Sequence, residues 1–117
     1  SMPKPNTQRV YRAVADPTRR AILDRLLGGE VRVNDLAGGF RMSRPAVSKH
    51  LRVLRQAKLV QERREGRERL YRVDPSPLVD VARWLDGYRA FWQTSLDNLK
   101  TLIELEEQAA VQRKGSP

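Results

Sequence analysis

The chain has 117 residues and a net charge of +9, with 39% hydrophobic and 32% charged residues, one histidine and no cysteine. That composition predicts one small globular domain. It leaves nothing for a disulfide framework or thiol sensor, and little for a zinc, copper or nickel site. No apolar run approaches the ~18 residues of a membrane span, and no signal-peptide pattern opens the chain, so neither membrane insertion nor export is expected.

The charge is unevenly placed. Between Arg41 and Val73 there are eleven Lys or Arg against three Glu (Glu62, Glu65, Glu68), whereas the rest of the chain carries twelve basic and eleven acidic residues. A basic block on an otherwise balanced protein is the footprint expected for a polyanionic partner.

Residues 1–6 read as a tail, with Ser1-Met2 as an expression scar. Thr7 to Ala15 carries Val10, Ala13 and Val14 at helical spacing. Asp16-Pro17 reads as an N-cap followed by proline at the first helical position. The helix it opens shows Ala21, Ile22 and Leu26 on one stripe and stops at Gly28-Gly29. A brief third helix, Val33 to Ala37, turns Leu36 and Ala37 inward and closes at Gly38-Gly39. After Phe40-Arg41-Met42, Ser43 caps a fourth helix that runs from Arg44 to about Lys58. Two short helices joined by a glycine-bearing connector fit a helix-turn-helix.

On a wheel at 100° per residue, Ala46, Val47, His50, Leu51, Val53, Leu54 and Ala57 cover one broad side of the fourth helix. Arg44, Pro45, Ser48, Lys49, Arg52, Arg55 and Gln56 cover the other. The second face suits a helix lying in a major groove, where small residues allow close approach and long basic ones reach guanine edges or phosphates. Leu59–Arg64 and Glu68–Val73 then read as two strands around a Glu65-Gly66-Arg67 turn, ended by Pro75 and Pro77. This hairpin is basic at Arg63, Arg64, Arg67 and Arg69. Arg67 at its tip is placed to touch DNA, and the other arginines either do the same or pair with Glu62, Glu65 and Glu68 across the ribbon.

Leu78 to about Ala110 reads as one long helix. Leu78, Leu85, Trp92 and Leu99 recur every seven residues, with Val81, Tyr88, Ser95 and Leu102 in step. Trp84, Phe91, Leu96, Ile103 and Leu105 widen the apolar surface. So small a domain cannot cover such a helix, and a second copy is expected to do so. Residues 111–117 read as a flexible tail, and 7–110 as the domain, with 7–15 and 78–110 as its dimerisation helices.

Other chemistry finds little support. His50 and Ser48 point different ways and lack the acid of a triad, so no enzyme is expected. The aromatic group Trp84, Tyr88, Phe91 and Trp92 is read first as packing surface, with an effector pocket as the alternative. The paired glycines lack the strand and the Lys-Ser/Thr of a phosphate loop.

Taken together, Ala15-Asp-Pro-Thr-Arg-Arg-Ala-Ile-Leu23, Val33-Asn-Asp-Leu-Ala37, Met42-Ser-Arg-Pro-Ala-Val-Ser-Lys-His-Leu-Arg-Val-Leu-Arg55 and Gly66-Arg-Glu-Arg-Leu-Tyr-Arg-Val-Asp-Pro75 resemble the ArsR/SmtB family of bacterial repressors. The resemblance covers roughly residues 9 to 105. It implies a mainly α winged helix-turn-helix of about five helices with a two- to three-stranded wing. It further implies a homodimer joined through the first and last helices, and DNA contacts from the start of the recognition helix, here Arg44, Pro45, Ser48 and Lys49. Metal-sensing members carry Cys-Val-Cys where this chain has Arg32, Val33 and Asn34, and others use Asp and His pairs on the last helix. That helix has no histidine here, and Asp80, Asp86 and Asp97 read as solvent-facing charges. The chain therefore resembles the metal-independent branch, and no metal or cofactor is expected.

The expected function is a cytoplasmic, nucleoid-associated bacterial repressor that binds an inverted-repeat operator in double-stranded DNA, with an unknown small-molecule effector as a further partner. The alternative is a winged-helix protein-interaction module without specific DNA reading. The expected DNA contacts are Ser43, Arg44, Pro45, Ser48, Lys49, Arg52, Arg55, Arg64 and Arg67. The expected dimer interface comprises Val10, Val14, Leu85, Tyr88, Trp92, Leu96, Leu99, Leu102 and Ile103.

Overall fold

The computed structural model describes residues 5–115, which fall into two compact units that divide between Ala82 and Arg83. The expected scar at Ser1-Met2 lies outside the described residues. The order is α1 (Pro5–Val14), α2 (Pro17–Leu26), β1 (Val31–Arg32), α3 (Val33–Phe40), α4 (Arg44–Gln56), β2 (Val60–Glu65), β3 (Glu68–Val73), a 3₁₀ turn (Ser76–Leu78) and α5 (Val79–Gly115).

In the first unit the core is built where the apolar periodicities converge. Val10 and Ala13 of α1, Ile22 and Leu26 of α2, Leu36 of α3, and Val47, Leu51 and Leu54 of α4 are all buried, together with Leu59, Val60 and Tyr71 of the hairpin. The helix ends are tied down locally. The Asp16 carboxylate accepts the Arg19 N–H at 3.0 Å and caps α2, while Arg19 and Arg20 donate to the last carbonyls of α1 (Ala13 and Val14, both at 2.8 Å). Cations at that end also suit the helix dipole. The Asn6 amide donates to Ala57 O at 3.1 Å, and the Thr7 hydroxyl donates to Asp80 at 2.8 Å. Asp80 is thus a half-buried acceptor for α1, not the solvent-facing charge the sequence suggests.

The sheet is three-stranded and antiparallel in the order β1-β3-β2. β1 pairs Val31 with Tyr71 and Arg32 with Leu70, and β2 pairs Val60 with Val73 through to Glu65 with Glu68. Alternation places Val60, Glu62, Arg64, Arg69, Tyr71 and Val73 on one face of the hairpin.

The boundaries differ from the sequence reading in instructive ways. α3 does not stop at Gly38-Gly39 but runs through both to Phe40, and the left-handed residue that ends it is Arg41 (φ 52°). Phe40 packs against the core, and that burial outweighs the ~1 kcal/mol helical penalty of each glycine. α4 ends two residues earlier than expected. Lys58 is left-handed (φ 62°), Lys58 N–H donates to Arg55 O at 2.9 Å and Leu59 N–H to Leu54 O at 3.0 Å, with Leu54 and Leu59 both buried. This is a Schellman ending with lysine in the place glycine usually takes.

The second unit is the α5 segment from Arg83 onward, helical to Gly115 and so five residues beyond the expected end at Ala110. Arg113 and Lys114 in the last turn favour that extension through the helix dipole. Trp84, Tyr88 and Trp92 form an aromatic ladder along it, edge-to-face at 5.5 Å and then stacked at 6.3 Å.

Candidate nucleic-acid interface

α4 is set up as a rigid platform with one wet side. Ser43 Oγ accepts Ala46 N–H at 3.3 Å, and Pro45 in the first turn has the φ the helix needs. Val47, Leu51 and Leu54 anchor the helix in the core, which turns Arg44, Pro45, Lys49 and Arg52 out to solvent. Ser48 is half-buried beside them, and His50 is half-buried near the Asp16 cap.

The arginines divide into those with partners and those without. Arg55 pairs with Glu62, which also accepts the Tyr71 hydroxyl at 2.8 Å. Burial first, and that hydrogen bond second, push the Tyr71 phenol up from its ordinary pKa. Arg63 forms a two-pronged pair with Glu30 (2.6–3.0 Å) and reaches Glu65 at 3.4 Å, and its hydrogen bond is the chief cause holding the Glu30 carboxyl below its usual range. Arg72 donates to Gln61. By contrast, among the described residues no acid pairs with Arg44, Lys49, Arg52, Arg64, Arg67 or Arg69. Arg64 and Arg69 stand directly opposite each other across the hairpin, a like-charge pair that costs stability in a free sheet.

Of the expected DNA contacts, Arg44, Pro45, Lys49 and Arg52 therefore share the exposed face of α4, with Ser48 at its edge. Ser43 is the cap of that helix, and Arg64 and Arg67 are exposed on the hairpin. Arg55 is engaged with Glu62. Arg44, Arg67 and Arg69 line one hollow with Arg32, Asn34 and Glu68. Arg32 and Asn34 were not expected as contacts. Their proximity comes from β1, a two-residue strand too short to leave a periodic signal. Of the expected dimer residues, Val10 is fully buried in its own unit and has no surface to offer a partner. Leu85, Tyr88, Trp92, Leu96, Leu99, Leu102 and Ile103 are exposed on α5, and Val14 is half-buried.

The sequence pattern described as "bacterial regulatory protein, arsR family" matches residues 16–62, from the α2 cap through α4 into β2. The chain is also 44% identical over 98 residues to the HTH-type transcriptional regulator Rv2034 of Mycobacterium tuberculosis, covering 84% of this chain and 89% of that protein. The chain belongs to the ArsR family. A second relative, the transcriptional repressor SdpR of Bacillus subtilis, is 40% identical over 76 residues, 65% of this chain and 84% of its own. Among solved structures, a homodimeric winged helix-turn-helix DNA-binding domain from Mycobacterium bovis superimposes with a TM-score of 0.57 at 35% identity, covering 79% of each chain. This ArsR-family chain is accordingly a transcriptional regulator of the winged helix-turn-helix type and not an enzyme. The hairpin β2–β3 is its wing, and α3 with α4 form its helix-turn-helix.

Proposed function

We propose that the protein is a homodimeric repressor that binds an inverted-repeat operator, with α4 in the major groove and the wing against the backbone. The observation that carries this reading is the exposed face of α4, where Arg44, Lys49 and Arg52 stand without acidic partners among the described residues, beside the close-approach residues Pro45 and Ser48. An interaction module with no polyanion to bind gains nothing from so much unneutralised charge. Arg44, Pro45, Ser48 and Lys49 read base edges; Ser43, Arg52, Arg64 and Arg67 meet phosphates. Arg55 joins them only by exchanging Glu62 for a phosphate.

The apolar α5 surface supplies the dimer. Leu85, Tyr88, Trp92, Leu96, Leu99, Leu102 and Ile103 pack against their equivalents in a second copy, and two recognition helices then meet successive major grooves about 34 Å apart. Such a protein works in the bacterial cytoplasm, on the nucleoid, and represses by occupying promoter DNA.

Selection of bound duplexes from a random-sequence pool tests the proposal. The expected product is a palindrome with half-sites about one helical turn apart, whose binding weakens steeply with salt. A pool that shows no enrichment, or affinity that stays flat from low to high salt, would overturn it.

A further inference from the structure

We propose that the hollow between the start of α3, the start of α4 and the wing is a seat for one phosphate group of the DNA backbone, formed by Arg32, Asn34, Arg67 and Arg69 beside the base-reading Arg44. This deepens the DNA-binding reading above and rests on it. Four guanidinium groups and one carboxylate line the hollow, and that carboxylate, Glu68, is already taken by Arg32 at 2.8 Å. Three guanidinium groups are left with no counter-charge among the described residues. Guanidinium stays charged at every physiological pH and grips phosphate oxygens in pairs, so the chemistry selected is a phosphate oxyanion.

Size narrows the ligand further. The hollow holds about 30 Å³. One water needs roughly 10–15 Å³ on that measure, so the floor of the hollow has room for about two oxygens. The two non-bridging oxygens of a phosphodiester fit that space. Its position favours the backbone as the source, because Arg44 and Arg67 also belong to the proposed DNA-reading surface. A seated phosphate would also lie beside the Arg64–Arg69 opposition and relieve it.

The test uses the full chain and a duplex recovered by selection, with single methylphosphonate substitutions walked along each strand. Wild-type protein is expected to lose about tenfold in affinity at one backbone position per half-site. Arg69→Gln should lose a similar factor on unmodified DNA, become indifferent to that one substitution, and flatten the salt dependence by about 0.9 in logarithmic slope per half-site. Asn34→Asp is the second variant. A carboxylate in the first turn of α3 favours the helix, so thermal stability should hold while affinity falls. If both variants keep wild-type affinity, slope and methylphosphonate map on a duplex that still binds, the seat is refuted and DNA binding stands. If wild-type protein binds no selected duplex, the DNA reading fails and takes the seat with it. Replacing potassium chloride by potassium phosphate at matched ionic strength separates the two phosphate sources. Specific displacement of DNA from wild-type but not from Arg69→Gln, with orthophosphate binding the free protein, would make free phosphate the ligand and overturn the backbone assignment.

Discussion

Replacing Trp92 by alanine should break the proposed dimer without unfolding the chain. Trp92 is 51% exposed and stacks on Tyr88. A tryptophan offers up to ~250 Å² for burial, so about half of that remains available to a partner. At ~25 cal/mol per Å² this is about 3 kcal/mol per copy, and a two-fold interface counts it twice. If half of that surface meets the partner, the loss is about 3 kcal/mol per dimer, or roughly two decades in dissociation constant. Sedimentation across nanomolar to high micromolar concentrations reads that shift, with far-UV circular dichroism confirming that the helices persist. A Trp92→Ala dissociation constant within threefold of wild type would refute the role of the aromatic ladder, and a wild-type chain that stays monomeric at high concentration would refute the interface itself.

Ser48→Glu places a carboxylate beside the proposed base-reading residues and should cost at least tenfold in operator affinity by gel shift, whereas Arg67→Gln should weaken all duplexes alike. Ser43→Ala removes the acceptor for Ala46 N–H and should lower unfolding free energy by about 1 kcal/mol in urea titrations, with the slope of the transition unchanged. The stability profile with pH should fall at both ends. Asp16 (capping hydrogen bond from Arg19), Glu30 (Arg63) and Asp74 (hydrogen bonds from Ser76) all have lowered pKa values, so the stability they add is present above their ordinary range and lost as pH drops below about 4. Tyr71 is raised by burial, so the stability tied to its neutral form is present below pH 10 and lost as pH climbs through the folded-state value. Thermal melts from pH 2 to 11 check both arms.

Most of the fold was legible because local chemistry and burial agree. Asp16-Pro17 and Ser43 mark helix starts that the structure caps as expected, and the α4 wheel separates Val47, Leu51 and Leu54 from Arg44, Lys49 and Arg52 without error. What was not legible depends on partners distant in sequence. The end of α3 is set by Phe40 reaching the core, which no local glycine rule anticipates. β1 exists because Val31 and Arg32 find Tyr71 and Leu70 some forty residues away. Val10 follows the same helical spacing as a dimer residue would, and only the assembled core shows that its own unit buries it. In the candidate site the α4 residues could be read from one helix. Which wing arginines are neutralised could not, since Glu30 answers Arg63 from the connector between α2 and β1.

The capping of α4 bears on how this end of the helix can hold an anion. Helix N-termini often grip phosphate through several free amides. Here Pro45 has no N–H, Ala46 donates to Ser43 Oγ, and Val47 donates to Ser43 O at 3.1 Å. Among the described residues that leaves few amides at this end, those of Ser43 and Arg44, to spend on a ligand. Grip at the mouth of the groove must then come from side chains, which makes it a property that substitution can retune one residue at a time while the backbone beneath stays unchanged. A regulator built this way can acquire a new operator without redesigning its fold.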